Sequence, residues 1–242
     1  MYTSIDQLLG DQLSSARSPR LPSARPAAPA LDLDEYLARA SLRRLEAKEF
    51  LFADGDRVSH LYRIETGTVV MFKVLADGRR QVMGFAFPGD LIGLGGEGEH
   101  VMNAQAVKPT RLRSLPLTML RQAAASNPTL CLKMYEALAR ELATTRDLML
   151  TTGQRSAMER LTSFLLALSR RNAREGLDPA RFELPMTRTD IGDFLGLTIE
   201  TVSRTFTKLK KMGLIDLPRC NEVRLLDIDQ IESTANGEGL LA

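Results

Sequence analysis

Five polar side chains between residues 200 and 211, namely Glu200, Ser203, Arg204, Lys208 and Lys211, are spaced so that they share one side of a helix. As a set they suit hydrogen bonding to nucleobases more than the making or breaking of covalent bonds. An arginine fork matches the O6 and N7 acceptors of guanine, and a glutamate accepts from the N4 amino group of cytosine. Glu200 and Arg204 together can read one G·C step. The plainer alternative is an ion pair four residues apart on a solvated helix, so the elements that hold the set decide between the two.

Those elements lie in residues 184 to 217. Thr187 is a good N-cap, and Asp190 puts a carboxylate near the start of the helix that follows. Ile191, Phe194 and Leu195 share a face, and Gly192 lets a second helix approach closely. Gly196 stops the first helix, because glycine takes a left-handed C-cap at little cost. Leu197 anchors the turn and Thr198 caps a second helix, whose apolar face is Val202, Phe206, Leu209 and Met212. Gly213 ends it. Helix, tight turn and helix form the motif whose second helix enters the DNA major groove. The net charge is only +2, but residues 198–212 set Arg204, Lys208, Lys210 and Lys211 against the single acid Glu200. The positive footprint is local.

Thr187-Arg188, Gly192, Gly196 and Glu200-Thr-Val-Ser-Arg204 resemble the FNR/FixK branch of the cyclic-AMP receptor protein superfamily. The resemblance covers about residues 40 to 230. It implies that Glu200, Ser203 and Arg204 read the half-site TTGAT. The cyclic-AMP receptor protein has a further base-reading Arg immediately before the Glu. Ile199 stands there in this chain, which favours the FNR/FixK type of site and puts Ile199 among the base-facing positions. Thr187, Arg188, Thr198, Thr201, Lys208 and Lys211 are then expected against the DNA backbone. Activators of this family also touch RNA polymerase, and the loop Ala173 to Phe182 resembles one such contact surface.

The rest of the chain reads as support. At 242 residues, 44% hydrophobic and 26% charged, it can bury a real core in one or two domains. No apolar run approaches the ~18 residues of a membrane span, and no signal peptide is evident. A cytoplasmic protein with free thiols is expected. Residues 1–13 place Ile5, Leu8, Leu9 and Leu13 on one helical face, and the proline-rich residues 14–30 complete a disordered tail over 1–30. Arg17, Arg20 and Arg25 there are either solvated or touch DNA nonspecifically. A helix is expected over Asp32–Arg44.

Short alternating strands are then expected at Phe50–Phe52, Leu61–Ile64, Val69–Leu75, Val82–Phe87 and Leu91–Leu94, with a hairpin at Asp77-Gly78. Leu61–Thr68 and Phe87–Gly93 look like the effector-domain β-roll of the same family. Asn127-Pro128 opens a long helix. Cys131, Met134, Tyr135, Leu138, Leu142, Thr145, Leu148 and Met149 recur at the spacing of a two-stranded coiled coil. Met134, Leu138, Leu142, Thr145 and Leu148 are the expected dimer contacts, and Cys131 is expected to point to the apolar face. Gly153 marks a hinge, Met158–Arg170 forms another amphipathic helix, and residues 170–181 a polar loop. Leu214–Leu217 and Val223–Leu226 form a wing, whose Arg219 and Arg224 face either phosphate or solvent.

The expected fold is therefore α+β. A β-roll (double-stranded β-helix) sensor-type domain spans 31–126, a dimerisation helix 127–152 and a winged helix-turn-helix 153–242. No catalytic set, metal cluster or phosphate loop stands out in a chain with two His, so no enzymatic activity is expected.

The family resemblance frames the effector. Cyclic-nucleotide members share a Gly-Glu-Leu turn and a later Arg-Ser pair whose Arg neutralises the phosphate. Here the turn is Gly93-Leu-Gly-Gly-Glu97 and the later stretch, His100 to Ala106, has no Arg. A buried phosphate without a cation is costly. The FNR cluster needs four thiolates, whereas this chain has Cys131 and Cys220, with Arg113 where the β-roll Cys would fall. The expectation is a homodimeric FixK-like regulator with no cofactor and no metal, acting on low-oxygen, nitrogen-fixation or respiratory genes. The alternative is a ligand-gated sensor of the same fold, or a haem-gated one using His60 or His100. Cys220, between arginines on a DNA-facing wing, is either a redox-sensitive thiol or a chance small residue in a loop.

Overall fold

A computed structural model describes residues 32–94 and 98–238, with backbone alone at residue 144 and over 147–154. The expectations for residues 1–30 and for Glu97 lie outside the described residues.

The chain opens with α1 (Leu33–Arg39). Asp32 caps it through a capping box with Glu35. The helix expected to reach Arg44 stops at Arg39, and Ala40 is already extended. Ser41–Leu45 form β1 instead, pairing antiparallel from Ser41↔Ser114 to Leu45↔Thr110. The helical propensity of Leu-Arg-Arg-Leu loses to a tertiary ladder.

The β-roll continues with β2 (Phe50–Phe52), β3 (His60–Val74), β4 (Arg80–Ala86), β5 (Leu91–Ile92) and β6 (Asn103–Pro116). The sheet order is β1-β6-β3-β4, with β2 on β6 and β5 on β3. The strands expected at 61–64 and 69–75 are one strand, β3, carried through Glu65-Thr66-Gly67 by successive bulges against β6. The sequence reading missed β6, which pairs with β1, β2 and β3. Lys108-Pro109-Thr110 reads locally as a break, but Pro109 falls where the register slips and no ladder donor is needed. The hairpin at Asp77-Gly78 is present, closed by Leu75 N–H to the Arg79 carbonyl at 2.8 Å. Leu45, Phe52, Ile64, Val69 and Leu112 fill the roll.

After α2 (Leu117–Ala124), which the sequence reading also missed, α3 runs Pro128–Gln154. The Asn127 side chain accepts from Leu130 N–H at 3.1 Å, with Pro128 in the first turn. Its apolar residues divide between two faces. Leu130 is buried in a cluster with Leu33, Leu37 and Leu120, and the half-buried Met134 packs against that cluster, whereas Tyr135, Leu138 and Leu142 are exposed at 69%, 39% and 51%. Met134, expected at the dimer seam, is half-buried, packing in part on the core of its own chain. Tyr135, one residue on, lies on the open stripe with Leu138, Leu142 and the exposed Thr145. Cys131 is exposed rather than buried in an apolar face. The Leu148 side chain lies outside the described residues.

The hinge is displaced as well. α3 continues through Gly153 and breaks at Arg155, which is extended, before Ser156 caps α4 (Ala157–Arg174). The C-terminal part holds β7 (Arg181–Glu183), α5 (Arg188–Leu195), α6 (Ile199–Lys211), β8 (Ile215–Arg219), β9 (Glu222–Leu225) and α7 (Ile228–Ala235). β7, which begins at the last residue of the stretch read as a polar loop, adds to the wing sheet in the order β7-β9-β8. Leu161, Leu165, Ile191, Leu195, Val202 and Leu209 are each 0% exposed in one core. At ~1.5–3 kcal/mol per fully buried side chain, that core is what orients α5 and α6.

Candidate nucleic-acid interface

The turn is built by local chemistry. Asp190 N–H donates to Thr187 Oγ1 at 3.1 Å, and Asp190 Oδ2 accepts from the Thr187 N–H and hydroxyl at 2.9 and 2.7 Å. Burial raises the Asp190 pKa, but the bonds from Thr187 and Arg80 outweigh it and leave the carboxyl below its ordinary range. Gly196 is left-handed at φ 66° and closes the helix with its N–H on the Gly192 carbonyl. A Cβ on Gly192 would stand 2.7 Å from the Leu197 carbonyl oxygen. Gly192→Ala is therefore expected to force the turn apart and cost about 1–3 kcal/mol. Thermal unfolding checks this, and a melting temperature equal to the parent's would contradict it.

Thr198 caps α6 by accepting from Thr201 N–H at 3.2 Å. Val202, Phe206 and Leu209 face the core, while Glu200, Ser203, Arg204, Lys208 and Lys211 are exposed together. Met212, expected on the apolar face, is the C-cap and is 43% exposed. Ser203, Arg204, Thr207, Lys208 and Lys211 line a shallow open hollow. Thr207 escaped the sequence reading, although it lies three and four residues from its companions. Glu200 and Arg204 make no ion pair among the described residues. Arg204 Nε reaches back to the Glu200 carbonyl in a long bond of 3.4 Å. The Glu200 carboxyl is held below its usual range by its own backbone N–H and then by the Thr198 hydroxyl. A charged acceptor and a guanidinium held by one long bond thus stand side by side at neutral pH.

The expected backbone contacts divide. Thr187, Thr198, Lys208 and Lys211 are exposed, and Thr201 is half-buried with its hydroxyl 3.1 Å from that of Thr198. Arg188 points elsewhere. Its guanidinium carbon lies 3.3 Å from the Phe206 ring centroid, and its buried Nη1 has no hydrogen-bond partner. Burial pushes its pKa down to about 10. Attraction to the ring face explains the inward placement. Lys210, counted in the local positive charge, is tied to Asp216 at 3.0 Å. In the wing, Arg219 stands 3.8 Å from the buried Glu222, Arg224 is exposed, and Cys220 is exposed between β8 and β9. The loop expected to meet RNA polymerase comprises the end of α4, residues 175–180 and the start of β7.

In the β-roll, Arg113 is committed to structure. Its Nε reaches Glu65 at 2.6 Å and its Nη1 the Ala40 carbonyl at 3.2 Å. The Arg113 bond holds the Glu65 carboxyl below its usual range. His100 stacks on Phe52 with centroids 3.5 Å apart, and burial lowers its pKa while Asp56 raises it. His60 shares a 2.8 Å hydrogen bond with the Ser59 hydroxyl.

Two family models match, one a "Crp-like helix-turn-helix domain" over residues 159–234, the other a "Cyclic nucleotide-binding domain" over residues 42–127. The chain is 35% identical over 207 residues to the transcriptional activator protein Anr of Pseudomonas protegens, covering 85% of this chain and 84% of that protein. It is 36% identical over 207 residues to the nitrogen fixation regulation protein FixK of Bradyrhizobium diazoefficiens, covering 85% and 86%. Among solved structures, that of FixK2 from Bradyrhizobium japonicum superposes with a TM-score of 0.76 at 33% identity, covering 81% of this chain and 96% of that one. No helix among the described residues is long and apolar enough to cross a membrane.

Proposed function

Because the chain belongs to the cyclic-AMP receptor protein/FNR family of transcription regulators, we propose that this DNA-binding regulator recognises a palindrome of TTGAT-type half-sites as a homodimer and acts as a FixK-like activator. Its relatives are named as regulators and activators rather than enzymes. The observation that carries the reading is the exposed set Glu200, Ser203 and Arg204 on one side of α6. Arg204 takes guanine, Glu200 the paired or adjacent cytosine, and Ser203 a neighbouring base edge. Ile199 and Thr207 flank them, while Thr187, Thr198, Thr201, Lys208 and Lys211 serve phosphates and fix register. Tyr135, Leu138, Leu142 and Thr145 form the seam between protomers, and two-fold symmetry sets the half-sites about one turn, ~34 Å, apart.

The protein works in the cytoplasm without a bound effector, and its output follows its abundance. The stretch His100–Ala106 supplies no arginine for a cyclic phosphate, and two cysteines do not make a four-thiolate cluster. Relatives named for nitrogen fixation and for fumarate and nitrate reduction support targets among low-oxygen and nitrogen-fixation genes. The segment 173–182 is the surface offered to RNA polymerase.

A titration of purified protein, with no ligand added, tests the reading on the TTGAT palindrome and on one with the G·C step changed in both halves. Each mismatch is expected to cost about 1–3 kcal/mol at fixed salt. Equal affinity for the two duplexes would remove the proposal.

Cys220 adds a redox element to the same reading. An exposed thiol in the turn between β8 and β9, next to Arg219 in the chain, becomes bulkier and, as sulfinate, negative when oxidised. Peroxide-treated parent is expected to lose DNA affinity at fixed salt, while Cys220→Ser retains it. Equal loss in both, or no loss in the parent, rejects this role.

A further inference from the structure

The DNA-reading motif is held to the β-roll along β4, at three points. At the start of the strand, Arg80 Nη1 donates to Asp190 Oδ1 at 2.6 Å and to Asp193 Oδ2 at 3.2 Å, both on α5. Gln81 Nε2 donates to the Asp193 carbonyl at 2.8 Å. Farther along, the Phe85 ring meets Phe194 of α5 and Phe164 of α4, with centroids 5.5 and 6.4 Å away. Just past the strand, Arg171 of α4 donates to Asp90 Oδ1 at 2.9 Å and to the Pro88 carbonyl, with its guanidinium over the Phe87 ring.

These pairs differ from ordinary surface bridges. The Arg80 and Asp190 side chains are 26% and 14% exposed, and those of Arg171 and Asp90 are 18% and 36%. Solvent screens them less than the exposed pairs that contribute little. Each guanidinium also lies over an aromatic face, Arg80 over Phe72 and Arg171 over Phe87. The chain that joins the two parts is helix except at the Arg155–Ser156 break, where Arg155 is tied forward to Ser163 and Arg160 of α4, and two extended residues between helices constrain their rotation weakly. Three contacts spread over β4 and the turn that follows it constrain it more. The direction in which α6 points is therefore set by β4 more than by the joint.

We infer that Arg80 and Asp90 are positioning residues that fix the half-site spacing accepted by the dimer. This rests on the palindrome reading above. One base pair added between half-sites moves them ~3.4 Å apart and turns one ~35° about the other. Two readers clamped to their β-rolls, and through α3 to each other, tolerate little of that. Two loosely hinged readers tolerate much of it.

The test keeps the reader's own sequence intact, because Arg80 and Asp90 both belong to the β-roll. Asp190 is left alone, since it also closes the capping box of α5. Parent, Arg80→Gln, Asp90→Asn, the double variant and Arg80→Lys are titrated at fixed salt on palindromes whose centres differ by one base pair, and on a duplex with a single half-site. For the parent, one spacing is expected to exceed its neighbours on the order of 10²-fold, because bivalent binding is lost when geometry forbids it. In the double variant that ratio is expected to shrink to within about tenfold, with single half-site binding unchanged and Arg80→Lys close to the parent. A spacing profile of unchanged shape in the double variant overturns the inference, even if affinity drops uniformly. A parent that prefers no palindrome over the single half-site removes the palindrome reading and this inference with it, a result distinct from the first.

Discussion

Arg204→Ala is expected to remove one guanine contact from each half-site, at about 1–3 kcal/mol apiece, so that a dimer loses about 2–6 kcal/mol of specific binding. Residual binding to unrelated DNA should stay near the parent's, since lysines and helix N-termini supply it. The loss is one of recognition, not folding. Arg204 is exposed and touches its own helix through a single long bond of 3.4 Å, so thermal unfolding should be unchanged. Glu200→Ala should relax preference at the same step or the adjacent one. If both variants bind the TTGAT palindrome as tightly as the parent, α6 is not the recognition helix.

Leu138→Glu is expected to have an effect of similar size by a different route. Leu138 is 39% exposed in the isolated protomer, so glutamate there costs the fold little. In a two-stranded seam it would bring two carboxylates into an apolar contact, where desolvation and like charge both oppose association. The monomer should retain the affinity of one half-site and lose the reinforcement of the second, on the order of 10²–10⁴-fold. Sedimentation should show the change of mass directly. An unchanged dimer would move the interface to another surface. Met134→Glu is the informative contrast, since Met134 is half-buried against the cluster of Leu33, Leu37 and Leu120 and its loss should lower the melting temperature as well.

Much of the reader was legible in the sequence because its signals are local. Thr187, Gly196 and Thr198 each act within a few residues of themselves, and each makes the cap or turn its type implies. The β-roll was legible only in outline. Its hairpin at Asp77-Gly78 is a local signal, but β1, the continuity of β3 and the whole of β6 depend on partners tens of residues away. In α3 the ~3.5-residue spacing was visible, yet two apolar faces overlap in one helix, and only the packing separates Met134 from Tyr135. The seat of Arg188 on Phe206 was not legible, because that ring lies on the next helix. The bonds of Arg80 to Asp190 and of Arg171 to Asp90 join residues 110 and 81 positions apart. Nothing in the local pattern of either segment announces them.

The most direct test of the central claim is selection from a pool of random-sequence duplexes by the purified protein, with no ligand added and at fixed salt. The account predicts enrichment of inverted TTGAT-type half-sites, centred about one helical turn (~34 Å) apart and bound by two protomers. Enrichment of an unrelated sequence, of single unpaired half-sites, or of nothing until a small molecule is supplied would contradict it.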